Sequence, residues 1–160
     1  MKNVLLTAVL AAFLTSAPAC AQPAESTDGP RLVLTGVGRF AVLADLSTIS
    51  SDGDQVRMRS LQVTGADFEA AGETYWGGWS WWAFDCAART ADRLDFASVR
   101  EGGVEGPATP DNAPPTPVAA GSDAAGLLAV ACDPASAGEA DADNLADAVR
   151  IGRAALRRAN

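Results

Sequence analysis

The run Tyr75-Trp76-Gly77-Gly78-Trp79-Ser80-Trp81-Trp82-Ala83-Phe84-Asp85-Cys86 holds all four tryptophans of the chain. Aromatic residues favour extended backbone, where successive side chains point to opposite faces of a sheet. That period of two places Ser80, Trp82, Phe84 and Cys86 on one face and Trp79, Trp81, Ala83 and Asp85 on the other. The reading extends this strand from Tyr75 to Arg89, with a second strand from Arg93 to Arg100 and a joint near Thr90-Ala91-Asp92.

Toward the N-terminus, Arg31 to Thr35 and Gly38 to Ala44 read as short strands parted by a Gly-Val-Gly break. In Ser50-Ser51-Asp52-Gly53-Asp54 the Asp-Gly pair marks a hairpin, because glycine accepts the positive φ of a type I′ turn. Beyond it Val56, Met58 and Ser60 alternate with Arg57, Arg59 and Leu61 up to Gln62-Val63-Thr64, a half-buried antiparallel strand. Residues 65–73 are polar and Ala-rich and read as a link.

Toward the C-terminus, residues 101–121 hold Pro107, Pro110, Pro114, Pro115 and Pro117 and read as a long loop outside any regular ladder. A short helix is expected from an N-cap at Ser122 or Asp123, through Leu127, Leu128, Val130 and Ala131, to Cys132. In the tail, Leu145, Ala148, Val149, Gly152, Ala155 and Leu156 follow the 3.6-residue period of a second helix. Asp141 and Asp143 precede it and Arg153, Arg157 and Arg158 end it, an order that suits the helix dipole. The face with Arg150, Arg153 and Arg157 reads as solvated.

Composition excludes much chemistry. The 160 residues include no histidine and a single lysine, Lys2. A Ser-His-Asp triad, a Cys-His pair, a His-ligated zinc, a P-loop lysine and a Schiff-base lysine are all ruled out. Lys2 followed by the apolar run Val4 to Leu14 reads as an export signal over residues 1–21, too short to be a membrane span. Two processing sites compete. Ala19-Cys20-Ala21 would release a chain starting at Gln22, whereas Ala17-Pro18-Ala19 before Cys20 resembles a lipobox whose cysteine carries a lipid anchor. Residues 22–30 read as a flexible tether. Removal of Lys2 leaves 11 arginines against 20 acidic residues, a net charge of −9, which disfavours nucleic acid as a partner. Cys86 and Cys132, an even pair in an exported chain without a Cys-x-x-Cys motif, are expected to form a structural disulfide.

Ala44-Asp45-Leu46-Ser47-Thr48-Ile49, Asp52-Gly53-Asp54 with Val56-Arg57, Phe84-Asp85-Cys86 with Arg89, Arg93-Leu94 and Val130-Ala131-Cys132 occur in that order. Across residues 31–132 the chain thereby resembles the bacterial surface-adhesin protein E-like domain family. The resemblance implies an α+β fold: an antiparallel β-sheet with a helix packed on one face and tethered by the Cys86–Cys132 bridge, here with an extra C-terminal helix. It also implies a periplasmic, outer-membrane-associated or extracellular protein; the named family member is an adhesin for host matrix proteins. The expected organisation is signal 1–21, tether 22–30, adhesin E-like domain 31–132 and C-terminal helical extension 133–160.

A helix on the Cys86 face makes Trp82 and Phe84 core. It leaves Trp79 and Trp81 on the far face, where exposed rings would stack on sugars, anchor a protein or form a dimer contact, unless the C-terminal helix or a loop covers them. The expected function is therefore binding of a protein or polysaccharide at the cell surface or in the periplasm, without catalysis or cofactor. Membrane association would come only through Cys20. Asp52, Asp54 and Ser50 lack the pattern of a calcium loop, so no metal is expected. The alternatives are a cell-wall glycan hydrolase using two carboxylates from among Asp45, Asp67, Glu69 and Glu73, and a structural, dimerising lipoprotein without ligand.

Overall fold

A computed structural model describes residues 29–159. The export signal, Gln22, the lipidation candidate Cys20 and nearly all of the tether lie outside the described residues. The strands are β1 (Leu32–Val37), β2 (Ala41–Asp52), β3 (Gln55–Ala70), β4 (Glu73–Asp85), β5 (Thr90–Arg93) and β6 (Asp95–Arg100), with two-residue strands β7 (Thr109–Pro110) and β8 (Thr116–Pro117). The helices are α1 (Asp123–Cys132) and α2 (Leu145–Ala159). β1 to β4 pair antiparallel in sequence order. The outer edge of β4 is shared: Tyr75 to Trp79 pair with β6, and Trp82 to Asp85 pair with β5.

Alternation along these strands gives the sheet two apolar faces, and one helix covers each. On one face α1 lays Leu127, Leu128, Val130 and Ala131 against Val33, Val42, Ala44, Met58 and Phe84. On the other, α2 lays Ala148, Val149 and Leu156 against Leu32, Leu43, Leu61, Val63 and Trp79. The expected antiparallel sheet with a disulfide-tethered helix and an additional C-terminal helix is what forms. Cys86, just past β4, bonds to Cys132 at the end of α1 across a Cα separation of 5.7 Å. The bridge lies at the rim of this layer, with Cys86 half-buried and Cys132 exposed.

Several boundaries differ from the sequence reading. Residues 65–73 are not a link: β3 continues to Ala70 and β4 starts at Glu73, joined by Ala71 (φ 52°) and Gly72 (φ 80°). Both turn residues have positive φ, the type I′ pattern that matches the twist of a hairpin, and an Ala-Gly pair does not advertise it as Asn-Gly would. The β2–β3 hairpin turns at Gly53-Asp54, where glycine alone has positive φ (62°), the type II′ pattern. The aromatic strand ends at Asp85, because residues 86–89 turn the chain back into β5. The Pro-rich stretch is mostly loop, yet Thr109–Pro110 pairs with β6 and Thr116–Pro117 with β5.

Asn144 caps α2, its side-chain Oδ1 accepting from the Asp147 N–H at 2.9 Å. Asp141, read as a dipole partner, instead accepts from the Leu34 N–H at 2.7 Å on the outer edge of β1. A polar cap for that strand edge outweighs a diffuse dipole interaction, since a sheet edge otherwise carries unpaired backbone groups.

Candidate functional site

The tryptophan pair does not form an open surface. Trp79 is 7% exposed, packed in the core beneath α2. The guanidinium of Arg59 lies 4.7 Å from the centre of its ring and 5.8 Å from that of Trp81. Arg59 is in turn held by an ion pair with Glu105, from the Pro-rich loop. Trp81 is half-buried and borders a hollow of about 270 Å³ with Ser50, Arg57 and Asp95. Of the two expectations for this face, cover by the C-terminal helix or a loop is met at Trp79, whereas Trp81 stays half-buried at the edge of a hollow, with the Arg59 guanidinium against both rings. On the α1 face Phe84 is fully buried, whereas Trp82 is half-buried, stacked on Phe84 at 6.0 Å with its Nε1–H donating to Ser60 Oγ at 2.9 Å.

The open surface lies elsewhere. α1 covers only one end of its sheet face, and the other end forms a groove of about 340 Å³. Four rings, Phe40, Phe68, Tyr75 and Phe96, wall it. Phe68 is 57% exposed and Phe96 37%, values at which isolated phenylalanines forgo much of their burial energy. The base is Gly77-Gly78 with Gln62, Thr64 and Ser98, contributed by β4, β3 and β6.

The glycines are required by close approach. A Cβ on Gly78 would stand 2.2 Å from the Phe96 ring, and one on Gly77 would stand 1.8 Å from the Gln62 carbonyl oxygen. Phe96 therefore packs directly against strand backbone. A glycine pair interrupting an aromatic strand was the one signal in the sequence that marks such a spot, since strand glycines often occur where another group approaches the backbone.

Polar capacity in the groove is neutral. The Thr64 hydroxyl donates to the Trp76 carbonyl at 2.9 Å. The Gln62 amide and the Tyr75 and Ser98 hydroxyls have no hydrogen-bond partner among the described residues. No charged side chain lines the groove. Charge stands nearby: Arg100 pairs with Glu73 at 3.4 Å, and the Arg39 guanidinium lies 5.3 Å from the centre of the Phe40 ring.

The carboxylates considered for hydrolysis do not line this groove. Asp45 is buried at an irregularity of β2 and accepts from the Arg31 and Ser47 N–H groups and from Ser47 Oγ. Asp67 pairs with Arg153 at 2.7 Å, Glu73 is held by Arg100, and Glu69 is exposed. A second cleft, of about 390 Å³, runs along α2 with Arg150, Arg153, Arg157 and Trp76. Much of its positive charge is used internally, Arg153 by Asp67 and the Thr64 carbonyl and Arg150 by Asp147. Two carboxyls are held below the usual aspartate range: Asp111 by hydrogen bonds from Arg93 and the Ala113 N–H, and Asp147 by those from Asn144 and Arg150. Among the described residues no group of three or more acidic or cysteine side chains is placed to hold a metal.

A family model described as surface-adhesin protein E matches residues 33–133. No curated protein and no solved structure matches the chain. The matched span contains every residue that lines the groove and ends one residue beyond Cys132, so α2 lies outside it.

Proposed function

The chain belongs to the surface-adhesin protein E family, and from that premise we propose that it is an exported, non-catalytic binding protein that takes its partner in the aromatic groove beside α1. The observation that carries this reading is the pair Phe68 and Phe96, exposed on a sheet face that is otherwise closed by a helix. Large apolar side chains left open and clustered mark contact surfaces, and aromatic anchors supply most of the energy at such surfaces. The neighbouring neutral side chains would orient the partner. Binding rather than turnover is supported by the lining itself, which offers rings, hydroxyls and an amide but no acid, base or nucleophile pair.

The test places a benzophenone amino acid at position 68 of the full chain, expressed in its own host and irradiated. Adducts from position 68, with none from the likewise exposed control position 104, are the expected result. No adduct at 68, the same adducts at both positions, or an adduct only of twice the chain mass would overturn the reading, the last by making the groove a self-contact.

A further inference from the structure

We propose that the groove's occupant is a neutral saccharide, one or more uncharged pyranose units of a glycan; this assignment rests on the groove being the binding surface. The first argument is charge. Every side chain in the lining is neutral, although a fifth of the chain's residues are charged and the net charge is −8. An ionic ligand on the floor would lose water with no charged side chain in the lining to replace it, which is costly; of the charges outside the lining, Arg100 is paired with Glu73 and Arg39 lies over the Phe40 ring. An anionic polymer would in addition meet the field of an acidic protein.

The second argument is the origin of the hydrogen bonds. The floor lies in mid-sheet, where Gln62 is registered with Gly78 and Gly78 with Ser98. Their backbone groups are committed to the ladders, so an extended peptide cannot add as a strand here as it does at a sheet edge. Recognition is left to side chains. Gln62, Tyr75 and Ser98 supply an amide and two hydroxyls, each able both to donate and to accept. A ring of hydroxyls, each also donor and acceptor, is the complement of such a set.

The third argument is shape. Phe40, Phe68, Tyr75 and Phe96 line a groove whose floor includes two glycines without side chains. The face of an aromatic ring is electron-rich and attracts the weakly positive C–H bonds that line one side of a pyranose. The volume, about 340 Å³, falls at the lower end of small-molecule sites, roughly 300–1,000 Å³. That suits a short stretch of a chain threaded through an open groove.

Saturation-transfer NMR tests this with the full chain, because sugars have no aromatic protons and irradiation of the protein's rings is selective. The probes are cellohexaose, chitohexaose, maltohexaose and laminarihexaose, each alone. At least one is expected to receive saturation. Phe68→Ala and Gln62→Ala should each weaken that binding about tenfold while leaving the melting temperature near wild type, since both side chains are partly or largely exposed. Val104→Ala, outside the groove, should leave it unchanged. Transfer to none of the four sugars, or transfer unaffected by either groove substitution, overturns the assignment. If photo-adducts at position 68 persist while no sugar responds, the saccharide assignment falls and the groove reading stands; if both fail, both fall.

Discussion

At Gly78 one absent carbon shapes the groove. The Phe96 ring occupies the space a Cβ would need, and it is the end of a partly exposed, rotatable side chain. Gly78→Ala is therefore expected to swing Phe96 away at a cost of about 1 kcal/mol, well below the few kcal/mol of an overpacked rigid core, while it removes one wall of the groove. Melting curves together with adduct yield at position 68 check this, and a wild-type yield would show that Phe96 is not a wall. Asp111 provides the residue-scale pH effect. Arg93 donates to it from Nε at 2.9 Å, and Asp111 in turn ties the Pro-rich loop to the strands through its own N–H, which donates to the Leu94 carbonyl. Its folded pKa lies below the unfolded value near 3.8, so the folded state binds fewer protons across that interval. The contribution is complete at neutral pH and is lost as pH falls below about 3.8 toward the folded value. The protection of the Asp111 and Ala113 amides, corrected for the intrinsic exchange rate at each pH, should fall in that window, and Asp111→Asn should remove this pH dependence.

Among elements, the joint between β4 and α1 carries the covalent constraint. Cys86 and Cys132 are 46 residues apart, and closing such a loop restricts the unfolded chain by about 4 kcal/mol in the loop-entropy description. Cys86→Ser and Cys132→Ser should each lower stability by a few kcal/mol, and the double variant should be no worse than either single one, because all three remove the same cross-link. Denaturant titrations under non-reducing conditions decide it; additive losses would mean that the two thiols act separately. In the long β3–β4 hairpin the two-residue turn sets the register only of Phe68–Ala70 with Glu73–Tyr75; an irregularity between Val63 and Phe68 shifts it, and beyond that point side-chain alternation holds Val56–Val63 against Gly77–Phe84.

For the molecule as a whole, the two helices differ in relation to the family match. α1 lies within residues 33–133 and α2 beyond them, yet α2 closes a core that includes Trp79 and six buried aliphatic residues of the sheet. Ending the chain at Asp143 would expose that entire face. Such a truncated protein is expected to bind a hydrophobic dye at neutral pH and to lose its cooperative melt, whereas a melt close to that of the full chain would show that the sheet tolerates an open second face. Among the described residues no helix is long and apolar enough to cross a membrane.

By itself the sequence determined the sheet-and-two-helix class, the cysteine pair and the family, because each follows from local periodicity, from composition or from an ordered set of short motifs; it read residues 65–73 as a link and Thr90-Ala91-Asp92 as a joint, where β3, β4 and β5 run. The face assignment of Trp82 and Phe84 was legible for the same reason. What only the tertiary structure decided was which surfaces remain open. Alternation separates Trp79 and Trp81 from Phe84 but does not say what lies above them; α2, distant in sequence, and Glu105, acting through Arg59, closed that side. The groove was hidden because Phe40, Phe68, Tyr75 and Phe96 come from the bend before β2, the end of β3, the start of β4 and β6, and meet only when the strands are in register. Burial depends on everything that packs against a residue, and most of those neighbours are far away along the chain.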